Sequence, residues 1–144
     1  RFDNVAILCY NIVNLTFSSV KVNKNKNPQH IVVLPDGNRR WARESRRDFR
    51  YGYLKGYNTL VNLTQWLIKR KIPILTVFGF STENWRRPKE QVDYLMKLFE
   101  KSLKKNQNIF HQNRIKVRII GNKKELKKSL QEVIKDVEKL TQKN

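Results

Sequence analysis

The sequence is poor in the residues that usually announce catalytic or metal chemistry. Among 144 residues it has one cysteine, Cys9, and two histidines, His30 and His111. A single thiol excludes an internal disulfide and a cysteine-rich zinc site, and it favours a reducing setting. His30 opens an apolar run and His111 lies in a basic stretch, so the pair has no metal-ligand spacing, and no Ser-His-Asp arrangement can be argued. The five glycines form neither G-x-G-x-x-G nor a P-loop, which removes the usual nucleotide cradles. No Asp-Asp-x-x-Asp stretch occurs, and no run reaches the roughly 18 apolar residues that a membrane-spanning helix needs.

Acidic residues are scarce as well: 12 Asp and Glu stand against 31 Lys and Arg, a net charge of +19. Such a field favours polyanions, anionic lipid surfaces or phosphorylated small molecules without choosing among them. The cations are scattered and the aromatics form no stacking platform, so nucleic acid is not the expected partner. With 39% hydrophobic residues the chain can build a core of its own, and its length suits one domain.

What is present is regular. "VAILCYNIVNLTF" (5–17) places Val5, Leu8, Cys9, Ile12 and Val13 at helical spacing. It predicts an amphipathic helix, either packed on the domain or touching a membrane or partner. A polar linker runs from there to residue 29. "HIVVLP" (30–35) reads as a strand buried on both faces, "ILTVFGF" (74–80) as a second strand and "IKVRII" (115–120) as a third. Helical periodicity marks 53–71, 88–106 and 124–142 between and after them. The expected fold class is α/β, a mainly parallel sheet flanked by helices and truncated after the third β-α unit.

In such sheets ligands bind beyond the carboxyl ends of the strands, where two polar loops fall, "DGNRRWARE" and "STENWRRP". In the first, Gly37 lets backbone approach a ligand, and the amides of residues 37–40 are placed for an anion. Arg39, Arg40 and Arg43 suit phosphate oxygens, and Asp36 suits a divalent cation. The plainer reading is a turn with solvated arginines. In the second loop Ser81, Thr82, Glu83 and Asn84 offer polar contacts and Arg87 another phosphate ligand, although Ser81 or Thr82 is equally a helix N-cap. Trp41 and Trp85 are either core side chains or walls for an apolar substrate.

The segments "HIVVLPDGNRRWA", "LTVFGFSTENWRRPKEQVDYLMKLFEKSL" and "IKVRIIGNKKEL" resemble the cis-prenyltransferases, the undecaprenyl and dehydrodolichyl diphosphate synthases, almost continuously from His30 to about Thr141. The expected organisation is an N-terminal amphipathic helix and polar linker over 1–29, followed by what the resemblance implies is the N-terminal part of a cis-prenyltransferase domain over 30–144. It implies elongation of an allylic diphosphate, commonly farnesyl diphosphate, by isopentenyl diphosphate, with Mg2+ but without an Asp-Asp-x-x-Asp motif. Asp36 then handles the magnesium–diphosphate and Asn84 the deprotonation at the condensing carbon. Gly37, Asn38, Arg39 and Arg40 wrap the allylic diphosphate, with Trp41, Ser81, Thr82, Glu83, Trp85 and Arg87 around the substrates. Leu95, Met96, Phe99 and Ile115 match the wall of a tunnel for the growing chain. A homodimer or a heterodimer with a synthase subunit is implied, as is a peripheral membrane contact, with a cytoplasmic location or one at the endoplasmic reticulum membrane.

Two departures stand out. Where the family carries an arginine three residues before Gly-His, this sequence has Phe49, Gly52 and Tyr53; Arg50, one position over, is the expected substitute, and Tyr53 the expected hydrogen-bond partner of a diphosphate. Family domains also continue past the point matching Asn144, with an Arg-x-Gly/Ser-Gly-Glu segment that serves isopentenyl diphosphate, a metal and the dimer interface. The chain matches somewhat more than half of the usual domain.

Overall fold

The computed structural model describes residues 4–10, as backbone, and 28–144. Among the described residues four parallel strands, β1 (Asn4–Tyr10), β2 (His30–Val33), β3 (Ile74–Phe80) and β4 (Ile115–Ile120), form one sheet in the order β2-β3-β1-β4. The helices are α1 (Asn38–Glu44), α2 (Phe49–Lys69), α3 (Lys89–Gln112) and α4 (Lys128–Leu140). Short 3-10 turns occupy Thr82–Arg86 and Lys123–Glu125. Among the described residues no helix is long and apolar enough to cross a membrane.

Two expectations are corrected here. The start of the predicted amphipathic helix is strand β1, paired with β3 on one side and β4 on the other. A short apolar run satisfies helical spacing and strand character alike, and seven residues is a strand's length. The rest of that segment and most of the linker, residues 11–27, lie outside the described residues. Among the described strands β2 lies at the edge of the sheet beside β3, and its residues alternate exposed and half-buried instead of being covered on both faces. His30 serves this edge, its Nε2 lying 2.7 Å from Thr76 Oγ1 on β3.

Leu75 and Val77 of β3 pack with Leu67 of α2 and Ile72 in one buried cluster. Phe80 belongs to the larger cluster built from α3, β4 and α4. Side chains alternate along a strand, so the odd and even positions of β3 serve opposite faces and helices cover both. The larger cluster contains Leu95, Met96 and Ile115, with Phe99 packed against it.

The outer edge of β4 is closed by side chains from α4 and the turn after it. Ile119 N donates to Glu138 Oε1 at 2.7 Å, Val117 N to Thr141 Oγ1 at 3.1 Å, and Ile115 O accepts from Asn144 Nδ2 at 2.9 Å. Thr141 is fully buried, and its hydroxyl donates in turn to Val137 O at 2.8 Å. Lys123 holds the Glu138 carboxylate at 2.8 Å. Replacing Thr141 by valine keeps the shape but leaves the Val117 N–H unsatisfied. The expected loss is about 1–3 kcal/mol in urea unfolding, with faster amide exchange at Val117.

Helices α3 and α4 are tied by Lys127 to Asp93 at 2.7 Å and by Ser129 to Glu100 at 2.9 Å. The hydrogen bond from Lys127 holds the Asp93 carboxyl below its ordinary range, and those from Lys104 and then Ser129 do the same for Glu100. A carboxylate lowered in the folded state adds stability that is present above its unfolded pKa and is lost as pH falls through the folded one. The melting temperature should therefore fall below the ordinary carboxylate range, and the fall should be shallower in an Asp93→Asn/Glu100→Gln double variant.

Candidate functional site

The first polar stretch is mostly helix rather than loop. β2 ends at Val33, Gly37 turns the chain with φ 82°, and α1 begins at Asn38. Space is not what selects glycine at position 37, since a Cβ there would meet nothing within 4 Å; the left-handed backbone is. The first helical bond is Trp41 N to Gly37 O at 2.9 Å, so the amides of Asn38, Arg39 and Arg40 stand ahead of the intrahelical ladder.

Asn38 is held from two sides. Its Nδ2 donates to Pro35 O at 3.1 Å. Behind it lie Gly52 and Gly56, four apart and so on one face of α2. A Cβ on Gly52 would come within 2.3 Å of Asn38 O, and one on Gly56 within 2.7 Å of the Asn38 side-chain amide. Two glycines at this spacing inside a helix, where each costs stability, are a signal of close approach that lies outside the two polar motifs.

In front of this turn is an open crevice of about 520 Å³. Pro35, Asp36, Gly37, Asn38, Arg39, Arg40 and Arg43 line it together with Tyr53 from α2, Arg87 from the loop before α3 and Gln91 from the first turn of α3. Four guanidinium groups thus surround one carboxylate. Arg39 Nη1 donates to Gln91 Oε1 at 3.0 Å and Arg87 Nη1 to the Tyr53 hydroxyl at 3.2 Å. Both acceptors are neutral. Among the described residues Asp36, Arg40 and Arg43 make no side-chain hydrogen bond or ion pair. A crevice of unneutralised guanidinium groups is a site for a multiply charged anion.

The structure therefore brings together Asp36, Gly37, Asn38, Arg39, Arg40, Tyr53 and Arg87 of the predicted site residues, and adds Gln91, which the sequence reading had not singled out. Other predicted residues lie elsewhere. Arg50 is not among the residues lining the crevice and is paired with Asp48 at 3.2 Å and with Glu90. Trp41 is 46% exposed and stacks on Tyr51 at 5.9 Å. Trp85 packs edge-on against Phe80 at 5.1 Å and donates to Glu125 Oε2 at 3.1 Å. Ser81 caps the 3-10 turn: its N–H donates to Asn84 Oδ1 at 3.2 Å, and Asn84 N returns a bond to Ser81 O at 3.0 Å. The Asn84 Nδ2 has no acceptor among the described residues. Thr82 and Glu83 are exposed on the same turn. Leu95, Met96, Phe99 and Ile115 belong to the main core rather than to the crevice.

No group of three His, Cys, Asp or Glu that could hold a metal occurs among the described residues. Asp36 alone is too few ligands for a protein-made cage. Magnesium, however, is commonly bound through one or two carboxylates together with substrate phosphates, and a lone, unpaired carboxylate beside arginines suited to phosphate oxygens fits that form.

Residues 34–144 match the family described as "Putative undecaprenyl diphosphate synthase". An isoprenyl transferase from Helicobacter hepaticus is 42% identical over 115 residues, 80% of this chain and 48% of that protein. A tritrans,polycis-undecaprenyl-diphosphate synthase (geranylgeranyl-diphosphate specific) from Pyrococcus horikoshii is 40% identical over 125 residues, 85% of this chain and 47% of that protein. Among solved structures, lavandulyl diphosphate synthase from Lavandula x intermedia in complex with dimethylallyl diphosphate aligns with a TM-score of 0.77 at 29% identity, covering 81% of this chain and 50% of that one. The chain spans about half the length of the curated relatives it matches.

The glycine contact gives a direct test of how the site is held. Gly52→Ala drives a methyl into the Asn38 carbonyl and should destabilise the fold by about 1–3 kcal/mol in urea unfolding, more than the gain in helix propensity offsets. Gly56→Ala meets only a side-chain amide, which can turn aside, and should cost less.

Proposed function

The chain belongs to the undecaprenyl diphosphate synthase family of prenyltransferases, and from that premise we propose that it acts in cis-prenyl chain elongation, adding isopentenyl diphosphate to an allylic diphosphate such as farnesyl diphosphate. The observation that carries the proposal is the crevice in which unpaired Asp36 sits among Arg39, Arg40, Arg43 and Arg87. In this reading the arginines grip the allylic diphosphate. As its carbon–oxygen bond breaks, negative charge gathers on the departing diphosphate, and guanidinium groups fixed in advance stabilise that charge more than they stabilise the ground state. Asp36 would hold a magnesium ion brought by the diphosphate, and that ion would supply further neutralisation of charge on the leaving group. The free Nδ2 of Asn84 is directed to isopentenyl diphosphate, and Leu95, Met96, Phe99 and Ile115 border the space for the product chain.

The product is a long polyprenyl diphosphate, a dolichol or undecaprenol precursor. Its lipid character supports a peripheral membrane contact, at the endoplasmic reticulum if the source is eukaryotic and otherwise from the cytoplasm, and the family supports pairing with a second synthase chain. A second reading, a non-catalytic subunit of such an enzyme, is favoured by Tyr53, a phenol where the resemblance expects an imidazole.

Incorporation of labelled isopentenyl diphosphate into solvent-extractable lipid, with farnesyl diphosphate and magnesium, tests both readings. The folded full-length protein should incorporate label, and Asp36→Ala should slow it about 10²-fold or more. Label incorporated only after a second synthase chain is added, and unaffected by Asp36→Ala, establishes the subunit reading instead.

A further inference from the structure

The arginines near the crevice are sorted by what they touch. Arg50 is paired with two carboxylates, Asp48 and Glu90. Arg39 and Arg87 are held instead by an amide oxygen and a phenol. The sorting reaches single positions on α3, where Glu90 takes Arg50 and its neighbour Gln91 takes Arg39. A carboxylate partner fixes a guanidinium but cancels its field a few ångströms away, whereas a neutral acceptor fixes it and leaves the full charge to a ligand.

Both neutral partners are themselves anchored. Tyr53 is 7% exposed, with Phe49 edge-on at 5.9 Å and Tyr94 stacked at 6.3 Å, so its hydroxyl has one place to be. Gln91 sits on the first turn of α3, half-buried, and reaches across the crevice to α1. The two hydrogen bonds bridge α1 to α3 and α2 to the loop before α3, so the arginines are drawn from both sides of the crevice.

We propose that Gln91 and Tyr53 are positioning residues of the anion site, neutral partners that pre-orient Arg39 and Arg87 toward a diphosphate while leaving them fully charged. This rests on reading the crevice as a diphosphate site. Pre-orientation removes part of the ordering cost of binding, which for one rotamer-rich side chain amounts to about threefold to tenfold in affinity. Any stronger hold on Arg39 by a charged partner should be outweighed by the lost field.

The test is inorganic pyrophosphate binding to the full chain by titration calorimetry, with each variant's melting temperature checked. Wild type should bind. Gln91→Leu and Tyr53→Phe should each weaken binding about threefold to tenfold with the fold intact. Gln91→Glu, which keeps an acceptor for Arg39, should weaken it about tenfold at low salt and less as salt screens the added charge. Gln142→Glu, the same charge change at the opposite end of the sheet, should leave it unaltered. If Gln91→Glu binds as tightly as wild type or tighter, or if Gln91→Leu and Tyr53→Phe both bind as wild type does, the positioning role is wrong while the diphosphate site stands. If wild type itself fails to bind pyrophosphate, the diphosphate reading falls and the positioning role with it.

Discussion

The crevice depends on how closely α2 can approach the turn between β2 and α1. Asn38 fills the gap with its carbonyl against Gly52 and its side chain against Gly56, while its amide reaches back to Pro35. That contact sets the height and angle of α1, and α1 carries Arg39, Arg40 and Arg43. The same face of α2 brings Tyr53 beside them. A methyl group at Gly52, which meets backbone, would therefore act on binding without touching a ligand, through the position of a helix. Asn38 is best understood as the wedge of this joint, and its place in the lining follows from that.

Charge in this molecule acts locally, although the total is large. A net +19 would by itself attract any polyanion. The local partners divide the cations into those tied to carboxylates, such as Lys123, Lys127 and Arg50, and those in the crevice whose hydrogen-bond partners are neutral or absent among the described residues. Affinity for a compact anion comes from the second group, and the first group mostly holds helices together. The Asp93 and Glu100 ties between α3 and α4 are of this structural kind.

The sequence was most readable where one kind of local signal acted alone. Ile74–Phe80 and Ile115–Ile120 have the bounds that their β-branched runs predict, and the parallel α/β class follows from strands alternating with helical patterns. Ser81 stands at the N-cap of its turn, the position that one reading of "STENWRRP" gives it. Legibility failed where distant segments decide. Whether "HIVV" lies at the rim or the centre depends on which strand lies beyond β3, and the segment read as an amphipathic helix supplied that strand, β1. The motif places Asp36 through Arg40 in one stretch, and they line one crevice, but it could not show that Arg50 pairs with Glu90, forty residues away, or that Gln91 joins the lining. Those are matters of side-chain partnership across the fold, which no local pattern encodes.

The closed outer edge of β4 gives the sheet a direction. A bare edge is a template on which another strand can pair, in a misfolded aggregate or in an exchanged dimer. On β4 the outward groups of Ile115, Val117 and Ile119 are already occupied by Asn144, Thr141 and Glu138. An incoming strand would have to dislodge a buried hydroxyl and a lysine-held carboxylate before making its first backbone bond. The barrier to polymerising through this side is thus built from three polar side chains, and loosening α4 would lower it before the hydrophobic core had come apart.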